Sequence, residues 1–349
     1  MISDLRQFPS KRVSLRQRAT VRELAAETGL SAATVSRVLN GQANVAPRTR
    51  EVVLQALSRL GHQAPRVRTE QEAVYIRCPY LLDDYFGRIV SSIVETVELH
   101  GMTAILNAGT AARHSDALSN LPGRAGVDGG ILILPPEPGE DLIRLRDRGF
   151  PFVVVDPRTR PPRDIVAVSA AHVTGARSVM THLVELGHRR VGIIGGPQEW
   201  LVTEARMTGY VAALADVGVL PAPELVRFVV EPNVDNGYRA AGELLDRPDR
   251  PTALVGFNDK IAIGALRAAG ERRLRVPDDL SIVGFDDLEL SQLTQPMLTT
   301  VRQPLAELGR MAVTLLSRLL KRHELDARHV ELATDLVVRG STGPAPGTA

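Results

Sequence analysis

At 349 residues the chain is too long for one ordinary core, and 44% hydrophobic with 23% charged residues is the balance of a globular protein without a membrane span. A single cysteine, Cys78, excludes an internal disulfide and fits a reducing compartment. The net charge of +2 is unevenly spread: the first 68 residues hold twelve Lys/Arg and four Asp/Glu, a net +8, which leaves −6 for the rest. A basic head on an acidic body points to a polyanion met by the head.

Residues 1–19 read as a disordered basic extension without the apolar core of a secretory signal, so a cytoplasmic location is expected. Thr20-Val-Arg-Glu23 is a capping box that opens a helix with an apolar face at Val21, Leu24 and Ala25. Gly29 ends that helix, because the turn needs a residue tolerant of positive φ. Ser31 caps a second helix, whose core face is Val35, Val38 and Leu39. Its other face carries Ala33, Ser36, Arg37 and Asn40 at helical spacing. A third helix over Pro47–Leu60 supplies Val53, Ala56, Leu57 and Leu60 to a shared core. This predicts a helix-turn-helix domain over 20–62, followed by a polar linker at 63–72.

In a major groove the N-terminal side chains of the second helix reach base edges. Those are Ser31, Ala32, Ala33 and Thr34. The alanines can touch thymine methyls, and Arg37 can grip a guanine or a phosphate. Thr20, Thr34, Ser36, Asn40, Thr49 and Arg50 are candidates for phosphate contacts.

Beyond the linker, short apolar runs alternate with helical stretches. The runs are Val74–Arg77, Thr103–Leu106, Gly130–Leu134, Phe152–Asp156, Val191–Ile194, Leu225–Val230, Ala253–Phe257 and Ser281–Phe285. Such alternation predicts an α/β body with parallel sheets, too many strands for one sheet, and therefore two lobes over 73–342. The Gly- and Pro-rich end, 343–349, is expected to be a disordered tail.

Enzyme classes find little support. There is no Gly-x-Gly-x-x-Gly turn, no Gly-Lys pair for a Walker loop and no nucleophile elbow. The histidines lack metal-ligand spacing. Cys78 reads as a small apolar residue beside a strand. No cofactor and no metal is expected, and the protein reads as a non-enzyme.

The segments Thr20–Ser31 and Thr34–Gly41, followed by Thr49-Arg50 and Leu60-Gly-His62, resemble the lactose-repressor/galactose-repressor (LacI/GalR) family of transcriptional regulators. In the body the resemblance is carried by His182–Pro197, Phe257-Asn-Asp259, Arg275–Asp287, Leu298–Pro304 and Leu336–Thr342. It covers about Thr20 to Thr342. It implies a fold like the periplasmic sugar-binding proteins, with two lobes and three crossovers. The lobes would be 73–166 with a return near 303–325, and 168–300 with the C-terminal strand. It implies a homodimer on near-palindromic operator DNA, with a small-molecule effector, a sugar by analogy, in the cleft.

Carried over residue by residue, the effector site would hold Asp83, Phe86, Asp156, Arg206, Asn258 and Asp286. For each the alternative is an ordinary strand-end cap or surface pair. Trp200 either stacks on a sugar face or packs. The chain departs from the family pattern at four places. Gln63–Glu72 lacks the leucine of the usual hinge helix, Ala171-His172 replaces an Asp-Asn pair, Glu231–Asp235 lacks an aromatic, and Arg77–Leu82 follows the first strand. A periplasmic-type solute-binding protein shares the body but not the head, and an α/β enzyme is the more distant alternative.

Overall fold

The computed structural model describes residues 21–39, 45–59, 72–113 and 118–347. These fall into two compact units, Met1–Gln71 and Glu72–Ala349. In the first unit α1 (Val21–Thr28), α2 (Ala32–Leu39) and α3 (Pro47–Arg59) enclose Leu24, Val35, Val38, Val53, Ala56 and Leu57. Gly29 adopts φ +67°, the left-handed conformation that lets three residues, Gly29 to Ser31, separate α1 from α2. Ser31 Oγ accepts from the Thr34 amide at 3.1 Å and so caps α2. Thr20, Asn40 and the linker 63–71 lie outside the described residues.

The second unit contains, in chain order, β1 (Ala73–Cys78), α4 (Asp84–Leu99), β2 (Thr103–Ala108), β3 (Gly129–Ile133), α5 (Gly139–Asp147), β4 (Phe152–Val155) and β5 (Val166–Ala170). Then follow α6 (His172–Glu185), β6 (Val191–Gly195), α7 (Leu201–Ala215), β7 (Val226–Phe228), α8 (Val234–Leu245), β8 (Ala253–Gly256), α9 (Asp259–Glu271) and β9 (Ser281–Val283). The chain ends with α10 (Leu290–Leu293), β10 (Thr300–Arg302), α11 (Leu305–Leu320), β11 (His329–Leu332) and β12 (Asp335–Val337).

Lobe 1 is a parallel sheet in the order β11-β5-β4-β3-β1-β2, and lobe 2 a parallel sheet in the order β7-β6-β8-β9. Strands β10 and β12 form a separate antiparallel pair. The inner strands of lobe 1, β1, β3, β4 and β5, are buried by α4 and α11 on one side and by α5 and its flanking loops on the other, which is why they read as continuous apolar runs. The chain crosses between lobes three times: from β5 into α6, from β10 into α11, and from β11 into β12.

Two expectations are corrected. The first lobe does not end at Val166: β5 pairs with β4 and β11 as far as Ala170, so the first crossover falls at Ala171. The β11 run, His-Val-Glu-Leu, is too short and polar to stand out in the sequence. The end of the chain is not a free tail either. Ala345 is buried, its amide donates to the Leu186 carbonyl at 2.8 Å, and the Ile282 amide donates to the Ser341 carbonyl at 2.8 Å. His188, fully buried after α6, lies 3.0 Å from the Gly343 carbonyl, 3.0 Å from Ser281 Oγ and 2.9 Å from Thr252 Oγ1. Composition suggests a loose end here, but satisfied backbone groups fix it.

Candidate functional site

On the head, Ser31, Ala32, Ala33 and Arg37 are exposed on α2, while Thr34 and Ser36 are half-buried. Thr49 and Arg50, half-buried, stand in the first turn of α3. The apolar residues of α2 point into the head core and leave this polar edge outward. Two alanines at its start keep the helix surface low, so it can approach a groove floor closely.

In the body, strand ends converge on a cavity of about 890 Å³. Asp83, Phe86, Asp156, Trp200, Arg206, Asn258 and Asp286 all line it. Both lobes contribute. Three lining residues at strand C-termini, Leu134 (φ 43°), Asp156 (φ 47°) and Asp286 (φ 124°), sit in left-handed backbone, which costs energy for non-glycine residues and aims their side chains out of the sheet ends.

The floor is polar. The Tyr85 hydroxyl donates to Asp156 Oδ2 at 2.7 Å, and His172 Nε2 lies 3.3 Å from Asp156 Oδ1. Burial by itself would raise the Asp156 carboxyl, but the bonds from His172 and Tyr85 and the charge of Arg206 outweigh it and hold it below the usual carboxylate range. Arg206, 4% exposed, donates to the Phe257 carbonyl, lies 3.9 Å from Asp286 Oδ1 and stacks over the Phe285 ring at 3.6 Å. Asp286 accepts from Gln303 Nε2 at 2.6 Å. Burial pushes its carboxyl well above the ordinary value, opposed by Arg206 and reinforced by the neighbouring Asp259 charge.

The wall is aromatic. Tyr80 and Phe86 stack with ring centroids 4.7 Å apart, and Trp200 stands edge-on to both Tyr80 and Phe257. The Arg158 guanidinium covers the Trp200 ring at 5.4 Å, and the Leu201 amide donates to the Arg158 carbonyl at 2.9 Å. Two buried donors of cavity-lining residues have no hydrogen-bond partner among the described residues: Trp200 Nε1 and Arg206 Nε.

Asp83 and Asn258 have a second role as helix caps. Asp83 Oδ1 accepts from the Phe86 amide at the start of α4, and Asn258 Oδ1 accepts from the Ile261 amide at the start of α9. Asp83 also takes an ion pair from Lys260. Both oxygens of Asp83 are thus engaged, as are both of Asp156 by Tyr85 and His172, whereas the hydrogen bond to Asp286 goes to Oδ1. Sequence reasoning missed Tyr80, Tyr85, Arg158, His172 and Lys260, all of which line the cavity. His172 was visible as a departure from the family pattern, and Tyr85 and Lys260 as neighbours of chosen positions. Arg158 was visible in the same way, two residues beyond Asp156.

Cys78 is fully buried, and burial pushes its thiol up to about 11, which removes its nucleophilic form at neutral pH. Among the described residues no cluster of three or more His, Cys, Asp or Glu is placed to hold a metal, and no helix is long and apolar enough to cross a membrane.

Comparison with known proteins agrees with both units. Residues 20–64 match the model of bacterial regulatory proteins of the lacI family, and residues 180–342 match a periplasmic binding protein-like domain. The HTH-type transcriptional regulator MalR of Streptomyces coelicolor is 37% identical over 346 residues, covering 93% of this chain and 97% of that one. Among solved structures, a complex of the transcriptional regulator CelR with cellobiose is 30% identical with a TM-score of 0.69, covering 93% of this chain and 100% of the other. The lac repressor dimer bound to operator and the anti-inducer ONPF is 27% identical with a TM-score of 0.71, covering 94% and 100%. A relative above 30% identity along nearly the whole length, with a helix-turn-helix head and a two-lobed α/β body, settles the assignment: the chain belongs to the lacI family of bacterial regulatory proteins, the helix-turn-helix transcriptional regulators.

Proposed function

We propose that the protein is a cytoplasmic repressor that binds a near-palindromic operator as a homodimer and changes its grip when a small sugar-type molecule enters the cavity. In this reading residues 20–62 are the DNA-binding domain, 63–72 the linker and 73–342 the effector-binding and dimerisation domain. Ser31, Ala32, Ala33 and Arg37 face base edges. Thr20, Thr34, Ser36, Asn40, Thr49 and Arg50 hold phosphates, which set register and affinity but carry no sequence information.

The observation that carries the effector half is convergence. Asp83, Phe86, Asp156, Trp200, Arg206, Asn258 and Asp286, scattered along the body, line one cavity. An aromatic wall beside a floor of carboxylates and an arginine suits a polyhydroxylated ring, whose apolar face stacks and whose hydroxyls both donate and accept. The unspent donors on Trp200 and Arg206 call for acceptors on the ligand. The cellobiose held by a similar regulator supports the same class.

The sole tryptophan makes the test direct. A duplex selected from a randomised pool would be titrated with the full chain at several salt concentrations. Neutral mono- and disaccharides, cellobiose among them, would then be added while Trp200 emission and duplex attachment are both followed. A sugar that shifts emission and changes attachment supports the reading. Absence of salt-sensitive attachment to any duplex overturns the regulator half, and sugars that alter neither signal overturn the effector half.

A further inference from the structure

His172 is the first residue of α6, at the point where the chain first passes from lobe 1 to lobe 2. It lines the cavity and is 8% exposed. On one side its Nε2 lies 3.3 Å from Asp156 Oδ1, and on the other its Nδ1 lies 3.4 Å from Arg206 Nη2. A guanidinium can only donate, so Nδ1 must present its lone pair. The ring proton then sits on Nε2, facing a carboxylate that accepts it. The neighbours alone therefore fix both the tautomer and the neutral charge. His172 is the link in a polar chain that runs from Tyr85 and Asp156 of lobe 1 to Arg206 of lobe 2, and on to Asp286 and Gln303 beside the second crossover.

We infer that His172, held neutral between Asp156 and Arg206, is a positioning residue that aims the Arg206 guanidinium into the cavity, and that protonation of its ring releases that aim. The inference rests on reading the cavity as the effector site. A protonated ring would point an N–H at a guanidinium N–H, donor against donor and cation against cation. The other anchors of Arg206, the Phe257 carbonyl, the Asp286 carboxyl and the Phe285 face, would remain, so the guanidinium would swing about them and off the ring.

The charged and titratable groups around the ring are few. Asp156 beyond β4 and Glu331 on β11 favour the charged form, and Arg206 on α7 opposes it. Tyr85 on α4 and Asp286 beyond β9 reach it only through Asp156 and Arg206. Burial is the largest influence and, with Arg206, keeps the proton affinity of the ring below that of an ordinary histidine. An effector gripped by Arg206 is then held best above the titration range of His172, and its grip loosens in acid.

The test uses the full-length chain labelled with ¹⁵N-histidine and ¹⁵N-arginine, without ligand. The histidine signal lost in His172→Gln is expected to report an Nε2–H neutral ring at pH 7.5 and to titrate below pH ~6.5, the ordinary histidine midpoint. In Arg206→Gln that midpoint is expected to rise, because a neighbouring cation is gone. The Arg206 Nε–H signal is expected to move as pH falls through the His172 midpoint in the natural chain and to stay fixed in His172→Gln. A cationic or Nδ1–H ring at pH 7.5 overturns the inference, and so does an Arg206 signal that ignores the titration. If Arg206→Gln does not fold, the titration of the natural chain and of His172→Gln still decides. Because no sugar is added, these outcomes are separate from success or failure of the sugar titration.

Discussion

Lys260 in the first turn of α9 places its ammonium on the carboxylate of Asp83, the cap of α4, so an ion pair joins lobe 2 to lobe 1 at the cavity wall. Both side chains keep about a third of their surface in water (27% and 35% exposed), which holds the pair to about 0.2–1 kcal/mol. Lys260→Met and Asp83→Asn are each expected to weaken effector binding several-fold. The double variant should lose no more than the worse single, because the two share one interaction. Binding titrations over the four-protein cycle check this, and fully additive losses would show that the residues act separately.

The buried acid network predicts two opposing contributions to the pH dependence of stability. Burial, opposed by hydrogen bonds from Thr300 and the Leu288 amide and reinforced by the Asp287 charge, pushes the Asp259 carboxyl up to about 7. The folded chain thus keeps a proton that the unfolded chain releases near pH ~3.9. The associated stabilisation is complete below that lower value and is lost as pH rises through about 7. His172 acts in the opposite sense: its lowered proton affinity gives stability that is present above pH ~6.5 and lost as pH falls. Below about 7 the two contributions therefore oppose each other. In melting curves from pH 5 to pH 9, Asp259→Asn should leave the His172 effect, stability that drops toward acid, and His172→Gln should leave the Asp259 effect, stability that drops as pH rises to about 7 and is level above it. An Asp259→Asn curve that still drops as pH rises from 5 to 7 would contradict the first assignment.

Close helix crossings in lobe 2 depend on glycine. A Cβ on Gly264 of α9 would stand 2.5 Å from the Tyr238 amide nitrogen of α8, and one on Gly209 of α7 would stand 2.8 Å from the Arg177 amide nitrogen of α6. Backbone cannot yield as a flexible side chain can, so Gly264→Ala and Gly209→Ala are each expected to cost about 1–3 kcal/mol. Denaturant unfolding measures it, and an unchanged midpoint for either would show that the helices part freely.

For the head, Arg37→Ala is expected to lower operator affinity and flatten its preference among base sequences, a loss of about 1–3 kcal/mol if the contact is a bidentate guanine pair. If Arg37 holds a phosphate, affinity falls equally on all duplexes and the salt dependence becomes shallower. Comparing selected with scrambled duplexes separates the two, and unaltered binding to both would remove Arg37 from the interface.

The residues offered for the cavity were carried over from the family resemblance, which picked Asp156, Arg206 and Asp286 from sites far apart in the chain. Asp156 and Asp286 follow strands, whose ends an α/β fold brings together, while Arg206 lies within α7. What escaped depends on the crossing of two lobes. His172 looked like a mere departure from the family pattern because only the folded chain brings Asp156 to one side of it and Arg206 to the other. Arg158 follows the same strand end as Asp156 but belongs to no motif, and only the folded chain brings it over the Trp200 ring. Asp83 was carried over as the family's polar residue after the first strand, with a strand-end cap or surface pair as the alternative; the structure shows it capping α4, pairing and lining at once. The C-terminal segment was misjudged because glycine and proline say nothing about whether backbone groups find partners, as that of Ala345 does at Leu186.

The threading of lobe 1 sets an order of assembly during synthesis. The four-stranded sheet of lobe 2 is complete once Val283 has emerged. Lobe 1, begun earlier, still lacks Leu308, Ala312, Val313 and Leu316 of α11, which fill its core, and β11 at its edge. At ~5–20 residues per second the nascent chain spends seconds with the sheet of its N-terminal lobe unfinished while the sheet encoded after it has all its strands. A chain halted at Arg302 would thus hold every strand of its younger sheet, short only of the C-terminal segment that packs on it, while its older lobe still lacks a helix of its core and an edge strand.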